Sequence, residues 1–274
     1  MKLMTFNTHS WLEQEQLQKL ETLAEHIAKV QYDVIALQEV NQLITSEIVK
    51  EPLNFIPSSK KTTIKTDNFA LLLIKLLHEK YQLDYYWSYA YNHIGYDKYD
   101  EGTAILSKHH FDTATLLPFS KTTDPTDFHT RVGIGINLQI NQIDYAFYSL
   151  HTSWWKDEND NVIFPQEADK FTKLQDDDTV VMLLGDFNNP SQIRNEGYDF
   201  MLQNWLDTYQ LAEQKDGTYT MGGNIAGWDH NQEPLRIDFI FSSQNVKVKE
   251  AKILFDGRNE KPLSDHFLYS IEII

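Results

Sequence analysis

Apolar residues recur along the chain with two periods, and the change of period separates helices from strands. Helical spacing within 13–30, an apolar run at 69–77, and weaker patterns further on predict helices over 13–30, 67–82, 165–175 and 195–204. Short apolar and β-branched runs predict strands over 2–7, 33–40, 85–91, 103–108, 131–140, 144–151, 179–186, 236–243, 246–255 and 265–273. Residues 41–66, with two prolines and a polar SSKK stretch, read as a loop.

The order of these elements predicts an α/β sandwich. Strand, helix and strand within 2–40 suggest parallel pairing through a right-handed crossover. Asn141 and Gln142 separate two strands and predict a two-residue hairpin turn. The strands outnumber what one small sheet holds, so we expect two sheets packed face to face with helices outside. No linker-like stretch interrupts the sequence, which predicts one domain over 1–274.

Composition narrows the function classes. The chain has no cysteine, so any metal must be held by carboxylate, amide or imidazole groups, which favours a hard cation such as Mg²⁺. A net charge of -16 disfavours tight binding to nucleic acid but leaves room for a small phosphorylated substrate. The start of the sequence does not resemble a signal peptide, and the apolar run at 69–77 is too short to span a bilayer. We therefore expect a cytoplasmic protein without a membrane partner.

Acids, amides and histidines stand at the ends of the apolar strands. Each one alone would be explained by a turn or a cap. Together they suggest a shared rim, because strand ends converge in a layered α/β domain. Glutamate with an amide can hold Mg²⁺, histidines and an amide can bind phosphoryl oxygens, and an aspartate can orient water. Metal-assisted phosphoester hydrolysis is the chemistry that fits this set: Asn7, Glu39, His151, Asp186, Asn188, Asp238, Asp265 and His266.

Six of these segments occur in the order of a known motif series. They are TFN at 5–7, LQEV at 37–40, SLHT at 149–152, GDFN at 185–188, RIDFIF at 236–241 and SDH at 264–266. The series resembles the endonuclease/exonuclease/phosphatase superfamily over residues 5–266. That resemblance implies a four-layer α/β sandwich, with two mixed β-sheets packed face to face and flanked by helices, and an active site at the rim.

The resemblance also implies roles for individual residues. Glu39 matches the principal Mg²⁺ ligand, with Asn7 beside it and Asp265 at a position tied to the metal or its water; Mn²⁺ would suit the same ligands. His9 stands where one branch of the superfamily carries an acid, and a hydrogen bond at a strand end would equally explain it. The residues matched to the water, the phosphate and their supports are Asp186 (water), Asn188, His151 and His266 (phosphate), Asp238 (partner of His266) and Glu101 (partner of His151).

Three aromatic-rich loops, at 86–102, 151–157 and 224–231, bear on the substrate. Their Trp and Tyr side chains, next to polar groups, suit sugar rings and would also suit stacked bases or ordinary packing. We single out the following substrate-binding candidates: Tyr96, Lys98, Trp155 and Trp228. Candidate phosphate contacts, each equally explained as a surface or strand residue, are Lys98, Arg131, Lys156 and Arg194.

The blocks YNHIGYDKYDEGTAILS, GDFN, GW and RIDFIF resemble a bacterial branch that contains maltose 6'-phosphate phosphatase. This resemblance implies hydrolysis of a phosphorylated sugar as the first hypothesis. A Mg²⁺-dependent nuclease or phosphodiesterase is the alternative. A third possibility is a non-catalytic binding protein on the same fold, although binding alone would not require Glu39 and Asp186.

Overall fold

Five helices and thirteen strands make up the fold in a computed structural model that describes residues 1–58, 62–223, 225, 227–228 and 231–274. The helices are α1 (Gln16–Val30), α2 (Phe69–Tyr81), α3 (Phe164–Thr172), α4 (Gly197–Met201) and α5 (Thr208–Leu211). The strands are β1 (Lys2–Asn7), β2 (Val34–Leu43), β3 (Tyr86–Gly95), β4 (Tyr99–Ser107), β5 (Ala114–Pro118), β6 (Val132–Ile140), β7 (Ile143–His151), β8 (Thr179–Asp186), β9 (Leu206–Asp207), β10 (Gln214–Asp216), β11 (Asp238–Ser242), β12 (Val248–Leu254) and β13 (Leu268–Ile273).

The strands form two mixed sheets. The seven-stranded sheet has the order β10-β12-β13-β1-β2-β4-β3, and the six-stranded sheet has the order β5-β6-β7-β8-β11-β9. β1 and β2 are parallel, as the β-α-β order predicts, and so are β7 and β8. The two sheets with their helices confirm the predicted α/β sandwich.

Three apolar layers hold the sandwich together. α1 and α2 pack on the outer side of the seven-stranded sheet through side chains such as Leu23 and Leu73. Residues such as Ile105 and Leu184 fill the space between the sheets. α3 and α4 cover the outer side of the six-stranded sheet through Phe171 and its neighbours. Burial of this apolar area is the main source of stability.

Several element boundaries differ from the sequence predictions. The hairpin turn at Asn141 and Gln142 is confirmed: both residues have positive φ, which suits the tight turn between β6 and β7. β2 runs to Leu43 rather than ending at 40, because it pairs with β4 beyond a bulge. The short strands β5, β9 and β10 were not predicted, since each has too few residues for a clear period.

Among the described residues, no helix combines the length and the apolar character needed to cross a bilayer.

Candidate active site

The ends of three neighbouring strands place an aspartate between a histidine and a second aspartate. β8 lies between β7 and β11, with Asp186 opposite His151 on one side and opposite Asp238 on the other. Gly185 makes this close pairing possible, because a Cβ atom there would lie 1.9 Å from the carbonyl oxygen of Leu150. The apolar strand therefore presents Asp186 at the rim of the six-stranded sheet.

His266 joins this row from the segment just before β13. Its Nδ1 lies 2.9 Å from Asp238 Oδ2, and its Nε2 lies 3.6 Å from Asp186 Oδ2. Burial opposes the charged ring, but the carboxylates of Asp238 and Asp186 outweigh burial and raise the pKa of His266 well above its usual value. Burial raises the pKa of Asp186 to about 6, with the charge of His266 opposing that rise. The pair thus combines an imidazolium with a weakly basic carboxylate.

His151 has the opposite electrostatic character. Burial, with the positive charges of Arg131 and His266 nearby, holds its pKa well below the usual value. Its Nε2 lies 3.5 Å from Asp186 Oδ2 and 3.2 Å from the side-chain amide nitrogen of Asn188. His151 is therefore a neutral ring on the same side of the site as Asp186.

Asn188 is fixed by four hydrogen bonds. Its backbone N–H donates to Asp186 Oδ1 at 2.9 Å, and its φ of 48° turns the chain out of the sheet. The indole N–H of Trp228 donates to Asn188 Oδ1 at 3.3 Å, so the amide NH₂ is directed to Thr152 O and toward His151. Trp228 thereby determines which end of the amide faces the site.

Glu39 enters the site from the other sheet through a β-bulge. The register of β2 against β4 shifts between Leu37 and Val40, and Glu39 has a φ of 50°. Leu37 and Val40 both pack toward the helices, so the extra residue lets Glu39 turn to the opposite side. Burial, together with the charges of Glu101 and Asp265, raises the pKa of Glu39 to about 8.

Asn7 connects the two sheets. Its side-chain NH₂ donates to Glu39 Oε1 at 2.9 Å and to Asp186 Oδ2 at 3.0 Å. Asn7 is fully buried, and its Oδ1 accepts the backbone N–H of His9 at 3.1 Å. A single amide thus sets the spacing between the carboxylate of the seven-stranded sheet and that of the six-stranded sheet.

The Glu39 side of the site has the donors that a hard divalent cation requires. Glu39 Oε2 is buried with no hydrogen-bond partner among the described residues, and Asp265 lines the same cavity. Three carboxylates, Glu39, Glu101 and Asp265, lie close enough together to influence one another's charge, which a cation would offset. The residues present therefore fit a divalent cation, with Asn7 beside the Glu39 carboxylate.

His9 lies next to these carboxylates, at the position where one branch of the superfamily carries an acid. Its Nδ1 is 2.8 Å from Glu13 Oε1 and 3.7 Å from Asp265 Oδ1. Burial opposes protonation, but the hydrogen bond with Glu13 and the nearby charge of Asp265 raise the pKa of His9 to about 9. Two groups of side chains bring potential metal-binding atoms close together. One contains His9, Glu13 and Asp265. The other contains Asp186, Asp238 and His266, which already make ionic contacts with one another.

These residues surround a cavity of about 230 Å³ that has three further features, of which the sequence analysis named only Arg131. Arg131, noted above only as a possible phosphate contact, lines it with Nε and Nη1 buried and without partners among the described residues. The buried indole nitrogen of Trp154 has no such partner either, and Phe128 forms part of the wall. Unpaired buried donors of this kind are suited to a polar ligand.

The four proposed substrate-binding residues take different positions. Tyr96 lines the cavity with about half its surface exposed, and Trp228 reaches Asn188. Trp155 does not line the cavity but packs near Phe164 and Phe200, while Lys98 lies over the ring of Tyr99, 4.9 Å from its centre. Of the loop 224–231, the positions 224, 226, 229 and 230 lie outside the described residues.

Glu101 lies in the cavity wall with a partner other than the one expected. Its Oε1 is 3.4 Å from His93 Nε2, whereas Nδ1 of His151 is buried without a hydrogen-bond partner among the described residues. His93 was not identified from the sequence. A bulge in β3, between Tyr91 and His93, turns it away from the side on which Tyr91 packs toward the helices. The only signal in the sequence is its place in the aromatic block 86–102.

Comparisons with known proteins agree with this geometry. The chain matches the Endonuclease/Exonuclease/phosphatase family over residues 4–266. An endonuclease/exonuclease/phosphatase family protein from Leptotrichia buccalis C-1013-b is 33% identical, with a TM-score of 0.88, and the match covers 100% of this chain and 99% of that one. No curated protein matches significantly.

Two more distant structures share the fold. The mannosyl-6-phosphatase of Bacteroides thetaiotaomicron VPI-5482 is 16% identical, with a TM-score of 0.67 and coverage of 100% of this chain and 99% of that one. A truncated TDP2 of Caenorhabditis elegans is also 16% identical, with a TM-score of 0.61 and coverage of 100% and 96%. Members of the matched family are hydrolases of phosphoester bonds and typically use divalent metals. The family match over nearly the whole chain confirms the motif-based resemblance: this protein belongs to the Endonuclease/Exonuclease/phosphatase family.

Proposed function

We propose that the protein is a Mg²⁺-dependent phosphomonoesterase that removes phosphate from a phosphorylated sugar. The observation that carries the proposal is the cavity itself. Its volume of about 230 Å³ lies below the ~300–1,000 Å³ typical of ligand pockets, so it suits a phosphoryl group and the sugar ring bonded to it, with any second ring outside the cavity. Its polar lining includes carboxylates, histidines, the Asn188 amide and one guanidinium. Mn²⁺ would fit the same oxygen ligands.

The distribution of positive charge favours a small substrate over a polymer. Arg131 is the one arginine or lysine that lines the cavity in the described part of the chain. Lys156 and Arg194 do not line the cavity; each lies in an exposed ion pair, with Asp160 at 3.3 Å and Asp199 at 2.8 Å respectively. With a net charge of -16, long-range repulsion of polyanions adds to this local shortage of cations.

The aromatic wall supports a sugar as the leaving group. Tyr96, Phe128 and Trp154 lie in the cavity wall, where their rings can pack on the C–H face of a sugar while the Trp154 N–H meets a hydroxyl. The mannosyl-6-phosphatase with the same fold is a relative that acts on a phosphorylated sugar. Maltose 6'-phosphate, suggested by the motif blocks, is the first sugar phosphate to test.

The chain's own residues can bind the phosphoryl group and activate water. Asp186, whose pKa burial raises to about 6, accepts a proton from the attacking water near neutral pH. The His266 imidazolium, held by Asp238, donates to phosphoryl oxygens, with Arg131 as a further donor. The Asn188 NH₂ adds a donor when a phosphoryl oxygen replaces its contact with His151. A divalent cation held by Glu39, Asn7 and Asp265 would stabilise the negative charge on those oxygens as a Lewis acid.

Phosphate release from a panel of sugar phosphates, compared with cleavage of plasmid and single-stranded DNA, tests the proposal. With Mg²⁺ present we expect release of inorganic phosphate from sugar phosphates, and its loss in EDTA. His266→Ala should lower the rate about 10²- to 10³-fold, the scale of losing one preorganised donor. His110→Ala, at an exposed position away from the cavity, is the matched control. Preferential cleavage of DNA would support the nuclease alternative, and no turnover of any phosphoester would support the binding protein.

A further inference from the structure

His93 is a third buried histidine of the cavity, in addition to the two that the motifs identify. It lies on β3, the edge strand of the seven-stranded sheet, and is only 5% exposed. The bulge beside it turns its ring into the cavity, which it lines together with Glu101 from the paired position on β4. The mechanism above leaves His93 without a role.

Both nitrogens of His93 have acceptor oxygens as neighbours. Nδ1 lies 3.2 Å from the carbonyl oxygen of Thr130, which can only accept, so Nδ1 carries a proton. Nε2 lies 3.4 Å from Glu101 Oε1, so the Glu101 carboxylate and the Thr130 carbonyl together fix the orientation of the ring. Other charged or titratable side chains line the same cavity: Glu39, Tyr96, Arg131, His151, Asp186, Asp265 and His266. Burial with repulsion from Arg131 keeps the pKa of His151 low.

The position of His93 suits the departing oxygen rather than the attacking water. His151 and His266 both lie within 3.6 Å of Asp186 Oδ2, on the six-stranded sheet side where the water is activated. In an in-line displacement the attacking and leaving oxygens lie on opposite sides of phosphorus. His93 reaches the cavity from the other sheet, next to Tyr96 and Phe128, where the proposed sugar would lie.

We propose that His93 is a further catalytic residue, the general acid that protonates the sugar oxygen as it leaves phosphorus, and that Glu101 is its positioning residue. The inference rests on the phosphomonoesterase function proposed above. It gives Glu101 to His93 as its partner, whereas the motif resemblance placed Glu101 as the support of His151.

The step balances without any additional reactant. The water oxygen forms a bond to phosphorus as Asp186 accepts the water proton, and the bond from phosphorus to the sugar oxygen breaks. The electron pair of that bond stays on the sugar oxygen, which takes the proton from His93 Nε2. His93 is left neutral, with its Nδ1 proton still donated to Thr130 O, and solvent returns the Nε2 proton while Asp186 releases its own.

Leaving-group dependence tests the inference. We compare His93→Asn with the wild type on a sugar phosphate, whose alkoxide needs a proton, and on p-nitrophenyl phosphate, whose phenolate leaves without one. The variant should lose about 10²-fold or more in kcat on the sugar phosphate, the scale of general acid catalysis, and less than about tenfold on p-nitrophenyl phosphate. Glu101→Gln should show the same selectivity with a smaller loss. His78→Asn, at a half-exposed position on α2, is the control.

The possible failures are distinguishable. Equal losses on the two substrates would show that His93 binds phosphate or supports the fold, and would overturn the inference while leaving the phosphomonoesterase function intact. Full activity of the variant on the sugar phosphate would overturn it as well. Failure of the proposed function would appear in the wild type, as no phosphate release from either monoester, and would overturn both proposals together.

Discussion

Glu39→Gln should make the metal-free protein more stable while removing its response to Mg²⁺. The Glu39 carboxylate is confined with Glu101 and Asp265, and burial is the main cause that raises its pKa from 4.5 to about 8. A carboxyl group whose pKa is higher in the folded state than in the unfolded state favours folding in its protonated form. The destabilisation of the folded state by the ionised Glu39 carboxylate is therefore absent below pH 4.5 and grows as pH rises toward 8.

The size of the effect follows from the pKa. At pH 7 the interval above the unfolded value is 7 - 4.5 = 2.5 pH units, and at about 1.36 kcal/mol per unit the ionised carboxylate costs roughly 3 kcal/mol. Glutamine removes that charge at nearly constant shape. We expect Glu39→Gln to raise the free energy of unfolding in EDTA by about 2–3 kcal/mol, which corresponds to a melting temperature higher by about 6 °C.

Denaturant and thermal unfolding in EDTA and in Mg²⁺, at pH 5 and pH 7, measure this effect. The wild type should gain about 2.7 kcal/mol when Mg²⁺ is present at 100 times its dissociation constant, whereas Glu39→Gln should gain little. Glu79→Gln, at an exposed position on α2, should change neither quantity. A Glu39→Gln variant that is no more stable than the wild type in EDTA, or that responds equally to Mg²⁺, would refute the electrostatic reasoning and the assignment of Glu39 as a ligand.

Three further predictions follow from the contacts of the site and its support. Asp238→Asn should lower kcat about 10²- to 10³-fold, because His266 loses the carboxylate that does most to raise its pKa. His266 then loses its proton at a lower pH, so the pH–rate profile of the variant should fall off at a lower pH than that of the wild type. The value of kcat/KM should rise as pH increases through about 6, where Asp186 loses its proton, and a flat profile across that range would exclude Asp186 as the base. Asp207→Ala should destabilise the fold by about 3–5 kcal/mol in denaturant titrations, because it leaves the buried Arg236 guanidinium without the carboxylate now 2.7 Å away.

The sequence was sufficient for the layers of the fold and for the motif residues that gather at the rim. Asp186 is an example: an apolar strand with a glycine before its last residue can be recognised from the letters alone, and its neighbours in the sheet follow from topology. For the side chains that reach the site through β-bulges, the sequence pattern predicts the wrong side of the strand. Strict alternation puts Glu39 on the same side as Leu37, and His93 on the same side as Tyr91, which is the side covered by helices.

Two causes account for the residues that the sequence analysis missed. A bulge depends on how a strand pairs with its neighbour, so His93 could not be placed without the register of β3 against β4. Glu39 was identified from its place near the end of an apolar strand and from its motif, not from the alternation of side chains. Trp154 and Trp155 follow the end of β7, where alternation no longer predicts direction, and the structure puts Trp154 in the cavity wall and Trp155 against the outer core.

The Asn7 amide makes the reaction depend on how the two halves of the sandwich are docked. Its two donated protons reach one carboxylate from each sheet, so neither half holds a complete site by itself. A slip of the sheets by about 1 Å would break a 3 Å hydrogen bond while leaving every strand and helix hydrogen-bonded. Loss of turnover under pressure or mild denaturant should therefore precede loss of the far-ultraviolet circular dichroism signal. The enzymatic rate would then report small changes in the relative position of the two sheets.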